Sequence, residues 1–331
     1  MKAYVITIGT PTATLDHLEK EGVHTQLVEG VNARKESRRD LLERTSGRDT
    51  LPLLCLLRQF APTVALAISL SHLHAWKAFL ESEDPFGIMF EDDVVVEPNF
   101  AKRLEMILES YLPRDTEVLM LGNFFGDPFH QTPIVTFTAW VMRGMFNMNE
   151  RHGPVNEHVW ISKHFLSSHA YLLTRSGAQK LVELISQQGI HSHLDVMMNR
   201  WTALGQLNSY VTVPRLAFQT SSAGGGVSST TSSRHHPYLF SKWARSVSVD
   251  EGVSLDFFWN VEAFQSGNVV MTAMNGLFLL LGILFCGMGV SVETACFVFA
   301  LFSLPDVWMG TPAKSIWLNC VLLLLPLLST R

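Results

Sequence analysis

Short apolar runs alternate with amphipathic segments through the first 220 residues of the chain. Strand-like runs cover residues 2–9, 24–28 and 87–90, and a helical pattern covers about 13–21 between the first two. Strand–helix–strand order at this spacing is typical of βαβ units. The pattern therefore predicts an α/β fold with a largely parallel sheet.

The same periodicities predict further elements downstream. Apolar positions at helical spacing mark a helix from Thr63, its expected N-cap, to about Leu80. Other helices and strands are expected over residues 98–111, 117–121, 168–174, 176–187, from about 191 onward, and 208–213. Residues 124–160 show no regular pattern, and loops of that length are often lids or binding loops.

Segment 33–62 is ambiguous. A charged stretch from Arg34 to Arg48 precedes an apolar run over residues 51–57. That run fits either a short buried helix or part of a membrane-facing surface, and the sequence leaves the choice open.

Composition changes sharply near residue 268. Residues 269–290 are almost wholly apolar, and at about 1.5 Å per residue they make a helix long enough for a bilayer core of about 30 Å. Shorter apolar stretches follow at 295–304 and 316–328. A buried core helix is the alternative for the first stretch, but the adjoining runs favour a membrane-embedded tail of one to three helices.

These changes divide the chain into three parts: a globular domain over 1–220, a Ser/Gly-rich linker and juxtamembrane segment over 221–267, and the hydrophobic tail over 268–331. Residues 221–233 contain Gly224-Gly225-Gly226 among serines and threonines, which is typical of a flexible linker. The alternative is a mobile loop that closes on a nucleotide.

Net charge and cysteine content exclude two classes of protein. The formal net charge is -5 and the sequence pI is about 6.2, so nothing favours binding to nucleic acid. Only Cys55 lies in the first 280 residues, which excludes a disulfide framework there and leaves no Cys/His metal pattern.

Three adjacent acids, Glu91-Asp92-Asp93, follow the apolar strand over 87–90. Unpaired carboxylates are costly to desolvate, so acids at the end of a buried strand need a partner. The carboxyl edge of an α/β sheet is where ligands bind, and carboxylate oxygens suit Mg²⁺ or Mn²⁺. The alternative is a solvated acidic turn.

Two further residues are candidates for catalysis or ligand binding. His72 shares a helix face with Trp76, four residues on. Taken alone, such a histidine is more often a hydrogen-bonded core residue than a ligand contact. Asp195 lies in or near the first turn of the helix that begins near residue 191, where capping of that helix is the alternative role.

Separated motifs in this chain resemble one known family. Ser69-Leu70-Ser71-His72 with Trp76, followed by Glu91-Asp92-Asp93-Val94, resembles the "LSH…W…EDD" core of glycosyltransferase family 25. Its members include bacterial lipooligosaccharide galactosyltransferases and procollagen galactosyltransferases. Weaker matches lie at 5–8, 169–173 with 176–181, and Leu194-Asp195, so the resemblance spans about residues 2–220.

The chain departs from the family pattern in three places. Gly9-Thr10-Pro11-Thr12 replaces the Arg-containing segments that normally follow the opening strand. Segments 33–62 and 124–160 have no clear counterpart, and the family has no obligatory membrane tail. These departures bear on the acceptor more than on the fold.

This resemblance implies a GT-A type, Rossmann-like fold that binds a UDP-sugar, and an inverting transfer of a hexose, with galactose the expected sugar. It implies that Asp93 holds Mn²⁺ or Mg²⁺ together with Glu91 (Asp92 is the alternative second ligand). It places Ile6, Thr7, Ser71, Glu91 and Asp92 around the donor, Asp195 as the base that deprotonates the acceptor hydroxyl, and His72 against donor, acceptor or acidic turn.

The expected partners are a nucleotide-sugar donor, a glycan, glycolipid or protein acceptor, and a membrane through the tail. The first residues lack the long apolar stretch of a signal peptide, and Arg234, Lys242 and Arg245 precede the tail, so we expect the catalytic domain to face the cytosol. Two rival functions are a catalytically inactive, membrane-tethered binding module of the same fold and a metal-dependent phosphohydrolase. The latter leaves the Ser71-His72 and Tyr171 motifs unexplained.

Overall fold

A computed structural model of the chain describes residues 2–9, 11–48, 51–124, 153–161, 165–220, 246–250, 253–308 and 313–328. The chain forms two compact units, Met1–Ser221 with Asp250–Gly252 and Ser222–Val249 with Val253–Arg331. Most of the predicted 124–160 loop, the 221–233 linker and the three basic residues at 234, 242 and 245 lie outside the described residues.

The first unit is built on an eight-stranded sheet in the order β2-β1-β3-β8-β5-β9-β7-β6. Its strands are β1 Lys2–Thr7, β2 His24–Glu29, β3 Phe86–Glu91, β5 Val118–Phe124, β6 Gly153–Pro154, β7 Val159–Ile161, β8 Leu166–Thr174 and β9 Ser209–Thr212. A separate two-stranded sheet pairs β4 Val94–Val96 with β10 Ala217–Gln219.

Strand direction differs from the prediction in one place. The strand pairs β1–β2, β1–β3 and β5–β9 are parallel, but β8 runs antiparallel between β3 and β5. The α/β class is confirmed, but the sheet is mixed and not largely parallel as predicted. As a result, the carboxyl ends of β1, β3 and β5 lie at the same edge as the amino end of β8. Ligands bind at such an edge in open α/β sheets.

Helices cover both faces of this sheet. They are α1 Thr12–Lys20, α2 Arg38–Arg44, α3 Pro52–Phe60, α4 Thr63–Glu81, α5 Phe100–Ser110, α6 Arg175–Gln188 and α7 Leu194–Ala203. Successive strand residues point to opposite faces, so Met89 enters one buried cluster with Trp76 and Phe90 enters another with Phe100. Both clusters exclude water, which fixes the strand ends that carry the acids.

Helix α4 positions the first motif and begins one residue earlier than expected. Pro62 rather than Thr63 is its N-cap, and no side chain caps it. One face of α4 is buried over most of its length and includes Leu66, Leu73 and Trp76. This packing holds Ser71 and His72 in the interior.

The second unit contains α8 Leu255–Asn260, a hairpin of β13 Glu262–Ser266 and β14 Val269–Thr272, and helices α9 Ala273–Gly287, α10 Val292–Trp308 and α11 Ala313–Leu328. Short strands β11 Ser248–Asp250 and β12 Val253–Ser254 precede them. Helices α9 and α11 pack closely, because a Cβ added to Gly282 would stand 2.3 Å from the Leu323 carbonyl oxygen. The Asn275 side chain also donates a hydrogen bond to that of Asn319.

The predicted helix over 269–290 is wrong at its start. Val269–Thr272 form strand β14, because Gly267 adopts a positive φ of 55° in a turn that folds them back on β13. The side chain of Asn275 then accepts the Thr272 N–H and begins α9. The three apolar helices have 15, 17 and 16 residues.

Among the described residues, no single helix is both long and apolar enough to cross a membrane, although α3 and α4 pass that test as a pair bent by 111°.

Candidate active site

The three acids of the sequence motif lie at the carboxyl edge of the sheet. Glu91 ends β3, and Asp92 and Asp93 form the turn into β4. Pairing of β4 with β10 sets Gln219 opposite Val94, while the backbone N–H of Thr220 donates to the Asp93 carbonyl oxygen at 3.0 Å. Strand β10 and the residue after it therefore hold the acidic turn in place through backbone hydrogen bonds.

Glu91 and Asp93 share one amide. Gln219 Nε2 donates to Asp93 Oδ2 at 3.0 Å and lies 3.5 Å from Glu91 Oε2. Ser168, near the start of β8, donates from Oγ to Glu91 Oε1 at 2.9 Å. The structure thus brings these two carboxylates together and surrounds them with neutral donors.

Asp92 points away from this pair. Its Oδ2 accepts a hydrogen bond from Thr7 Oγ1 at 2.9 Å, and its carbonyl oxygen accepts one from Thr14 Oγ1 at 2.7 Å. The side chain of Asp92 is exposed. Asp92 and Thr7 therefore join the ends of β1 and β3 beside the Glu91–Asp93 pair.

His72 reaches Glu91 through the interior. Its Nε2 lies 3.4 Å from Glu91 Oε1, and its Nδ1 lies 2.8 Å from the hydroxyl oxygen of Tyr171. Trp76 Nε1 donates to the same hydroxyl at 2.7 Å. Since tryptophan can only donate, the Tyr171 O–H is free to donate to His72 Nδ1, which leaves the imidazole proton on Nε2, facing the carboxylate.

The charge on Glu91 is stabilised despite burial. Its side chain is 22% exposed. Burial acts to raise the pKa of Glu91, but His72, His169 and the Ser168 hydrogen bond outweigh it and hold the pKa below its ordinary 4.5. Burial also raises the pKa of the Tyr171 hydroxyl well above 10, so Tyr171 stays a neutral donor. Glu91 is therefore an anion at neutral pH.

His169 packs beside the cluster as a neutral imidazole. It is almost fully buried, and its Nδ1 lies 2.5 Å from Ser167 Oγ. Gly122 leaves room for it, because a Cβ there would stand 2.2 Å from His169 Nε2. Burial is the largest cause that lowers the pKa of His169 from 6.5 to about 4.

This buried histidine predicts an acid-labile fold. The unfolded chain takes up the His169 proton near pH 6.5 and the folded chain near pH 4, so stability falls as the pH drops through that window. Between pH 7 and pH 5 we expect a loss of about 2 kcal/mol in unfolding free energy from this residue. Denaturant titrations at both pH values should show a smaller loss in His169→Gln. His24→Gln, which replaces an exposed histidine, should lose as much unfolding free energy as the parent. The same loss between pH 7 and pH 5 in His169→Gln as in the parent would contradict the prediction.

The other predicted site residues make contacts within the fold. Ser71 Oγ accepts the Val31 N–H and donates to the Ala67 carbonyl oxygen, which ties α4 to the turn after β2. The Ile6 side chain belongs to the buried core. Asp195 accepts the N–H of Ser167 at 2.7 Å and that of Val196 at 2.8 Å, so it holds the left-handed Ser167 (φ 78°) at the entry to β8.

Sequence reasoning missed four residues of the site: Ser168, Gln219, Tyr171 as a hydrogen-bond partner, and Asn123. Asn123 is the next-to-last residue of β5 and its side chain is buried, and neither amide atom has a hydrogen-bond partner within the described part of the chain. Buried amides are normally paired, so this one has a free donor and acceptor for a water or a ligand at the edge. Its position at the carboxyl end of an apolar strand was the available signal.

Two of the side chains at this edge are of the kind that a divalent cation prefers. Within the described ranges, no group of three or more His, Cys, Asp or Glu side chains is arranged to hold a metal ion. Glu91 and Asp93 supply two hard carboxylates, and Mg²⁺-type ions are commonly held by one or two carboxylates with substrate phosphates completing the shell. The residues therefore fit a cation that arrives with a diphosphate.

A family comparison bears on this site. Residues 63–198 match the model of glycosyltransferase family 25, described as an LPS biosynthesis protein. The resemblance to family 25 is confirmed. The matched segment contains α4, the acidic turn, Ser168, Tyr171 and Asp195, and the family supports glycosyl transfer as the activity. No curated protein matches the chain.

Solved structures give distant similarities. Mouse xyloside xylosyltransferase 1 is 14% identical with a TM-score of 0.32, covering 62% of this chain and 80% of its own. A197 from STIV is 12% identical with a TM-score of 0.29, covering 63% and 80%. The WbbM bifunctional glycosyltransferase is 9% identical with a TM-score of 0.29, covering 64% and 45%.

Proposed function

We propose that this protein transfers a hexose, with galactose the expected sugar, from a UDP-sugar to a hydroxyl group of a glycan, glycolipid or protein acceptor. One observation carries the proposal: Glu91 and Asp93 converge at the carboxyl edge of an α/β sheet inside the segment that matches family 25. A sugar nucleotide brings its diphosphate to such an edge.

Asp93 and Glu91 are the residues that would hold Mn²⁺ or Mg²⁺ in this proposal. When bound, the cation supplies Lewis-acid stabilisation of the charge that develops on the leaving diphosphate. Gln219 and Ser168 orient the two carboxylates through the hydrogen bonds described above. Because Glu91 already carries its charge at neutral pH, it would take a cation without first losing a proton.

The remaining roles follow from position. Thr7 and Asp92 cap the edge where the nucleotide would lie, and Ile6 and Ser71 fix the backbone of β1 and the turn after β2. Asp195 is the proposed base for an inverting transfer. Both of its oxygens accept backbone N–H groups, so it would act from a fixed position at the entry to β8.

The alternative is a catalytically inactive binding module. One observation favours it: Ser168, Gln219 and His72 already surround the carboxylates. An inactive module would bind UDP without cleaving a UDP-sugar.

Release of UDP from a panel of UDP-sugars, measured on the full chain with and without Mn²⁺, tests the transferase against the inactive module. Transferases often hydrolyse their donor slowly, so no acceptor is needed. We expect Mn²⁺-dependent release from one sugar nucleotide, which would also identify the donor. The absence of both UDP release and UDP binding, the latter measured by calorimetry, would contradict the proposal. Binding without release from any donor, even with acceptor glycans added, would favour the inactive module.

We also propose that the protein is attached to a membrane through its C-terminal helices, with the catalytic unit facing the cytosol. Helices α9 and α11 expose large apolar side chains to solvent, among them Leu280, Ile283, Trp317 and Leu325. Protease treatment of sealed vesicles tests the orientation: cleavage within residues 2–220 without lysis is expected, and full protection would contradict it.

A further inference from the structure

Helix α3 has its apolar stripe on the outside. Leu53, Leu56, Leu57 and Phe60 follow the i, i+3, i+4, i+7 spacing of one helix face. Their exposed fractions are 63%, 55%, 37% and 37%, and Leu51, just before the helix, is 62% exposed. On a helix of a globular domain this stripe ordinarily faces the core. Single exposed leucines are common, whereas a contiguous apolar stripe marks a binding surface.

The opposite side of α3 is the one that meets the protein, and it includes a charge. Leu54 is buried, and four residues on, one helical turn away, Arg58 is half-buried. The Nε and Nη1 atoms of Arg58 are shielded from solvent and have no hydrogen-bond partner in the described part of the chain. A buried guanidinium normally finds acceptors, so these N–H groups are available to an anion.

Arg58 opens onto a cavity between α2 and α3. The cavity has a volume of about 470 Å³, and its lining includes Arg38, Arg39, Arg58, Ser46, Gln59 and a single acid, Glu43. Arg39 pairs with Glu43 at 3.1 Å on the exposed rim, so the one acid in the described lining already has a partner. Arginine forks match phosphate oxygens in geometry and charge.

The segment that contains α3 has a net charge opposite in sign to that of the whole chain. Residues 33–62 contain seven lysines and arginines against four acids, whereas the chain has 25 against 30. Helix α3 itself carries Arg58 and no acid. An apolar stripe on one face of a helix, with arginines on its other face and on the neighbouring helix, is the pattern of a helix that lies in the interface of an anionic membrane.

The helix is held in place for such a contact. Arg38 donates to the carbonyl oxygens of Ala61 and Gln59 and to Thr63 Oγ1, which fixes the 111° bend between α3 and α4. From Thr63, α4 rises about 14 Å to His72 at about 1.5 Å per residue. A surface that receives α3 would therefore lie one short helix away from the candidate active site.

We propose that α3 lies flat in the headgroup region of an anionic phospholipid bilayer, with its leucine stripe inserted and the Arg58 cavity taking lipid phosphates. Charge complementarity selects this partner. A symmetric contact between two copies would set the same basic rim against itself, and α3 offers no acid to neutralise it. The proposal concerns a surface other than the C-terminal helices and does not depend on the donor or the acceptor.

The test is hydrogen–deuterium exchange over residues 51–61 of the full chain, with phosphatidylcholine vesicles that contain or lack phosphatidylglycerol. We expect slower exchange in α3 only with the anionic vesicles. This should hold at every vesicle concentration at which the protein binds the vesicles and floats with them on centrifugation. This local measurement separates α3 from the apolar C-terminal helices, which could bind vesicles on their own.

Matched variants assign the contact. Leu53→Ser with Leu56→Ser, and separately Arg39→Gln with Arg58→Gln, should each raise the lipid concentration needed for half-maximal α3 protection about tenfold or more. Leu204→Ser, whose parent side chain is 56% exposed directly after α7, and Arg114→Gln should leave it unchanged. Circular dichroism and denaturant unfolding of each variant confirm folding without relying on donor binding.

Three results would overturn the proposal. The first is α3 exchange that is the same with and without anionic vesicles while the protein floats. The second is equal protection by neutral vesicles. The third is concentration-dependent dimerisation that protects α3 without lipid and is abolished by the leucine variants, which would identify a second copy as the occupant.

Discussion

Replacing Asp93 with alanine should abolish metal-dependent release of UDP from the sugar nucleotide while leaving the fold intact. Asp93 and Glu91 share the Gln219 amide at the sheet edge. Loss of Asp93 leaves Glu91 as the single carboxylate ligand, which weakens the binding of a cation between protein and diphosphate. Loss of one preorganised electrostatic group in an active site typically costs about 10²–10³ in turnover, and we expect at least that.

The matched control is Glu83→Ala, an exposed acid just before β3. Both variants are measured for UDP release and for unfolding by denaturant. Asp93 accepts its hydrogen bond at a partly exposed turn, so we expect a change in unfolding free energy of about 1 kcal/mol or less. Activity retained by Asp93→Ala would refute the metal assignment, and an unfolded variant would show that Asp93 serves the fold.

The strands and helices around the site could be predicted because each has a buried face. A helix expected over 13–21 is observed at Thr12–Lys20, and the strand before the acids ends at Glu91 as expected. The direction of β8 could not be predicted, since the alternation of apolar and polar residues is the same whichever way a strand runs. That one reversal brings Ser168 to the edge where Glu91 ends.

The candidate site was visible only where the chemistry is local in sequence. Three consecutive acids and a histidine one helix turn from a tryptophan are short patterns. Ser168 and Gln219 lie 77 and 128 residues from Glu91, and a serine and a glutamine carry no pattern of their own. Only the pairing of β10 with β4 and the register of β8 bring them to the carboxylates.

The apolar run at 51–57 shows why some choices stay open in a sequence. An amphipathic stripe at Leu53, Leu56 and Leu57 has the same spacing whether it faces a core or a membrane. In the structure Leu54 and Arg58 face the protein, because Arg38 ties the end of α3 to the start of α4. The direction of the stripe therefore depends on a contact between segments 20 or more residues apart.

Replacing Tyr171 with phenylalanine should destabilise the protein and weaken the site together. The Tyr171 hydroxyl accepts from Trp76 Nε1 and bonds to His72 Nδ1, and all three side chains are buried. Removing one oxygen leaves two buried polar groups without a partner, at a cost of about 1–3 kcal/mol each. It also removes the group that keeps the imidazole proton on Nε2, toward Glu91.

The chain supplies a matched control for this variant. Tyr4 is equally buried, yet its hydroxyl has no hydrogen-bond partner among the described residues. Tyr4→Phe should therefore be neutral or slightly stabilising, so a loss of unfolding free energy confined to Tyr171→Phe would measure the hydrogen bonds and not the ring. NMR of labelled histidine would report the tautomer of His72 directly. If Tyr171→Phe keeps the stability, the Nε2–H tautomer and UDP release of the parent, then Trp76, Tyr171 and His72 pack together without positioning Glu91.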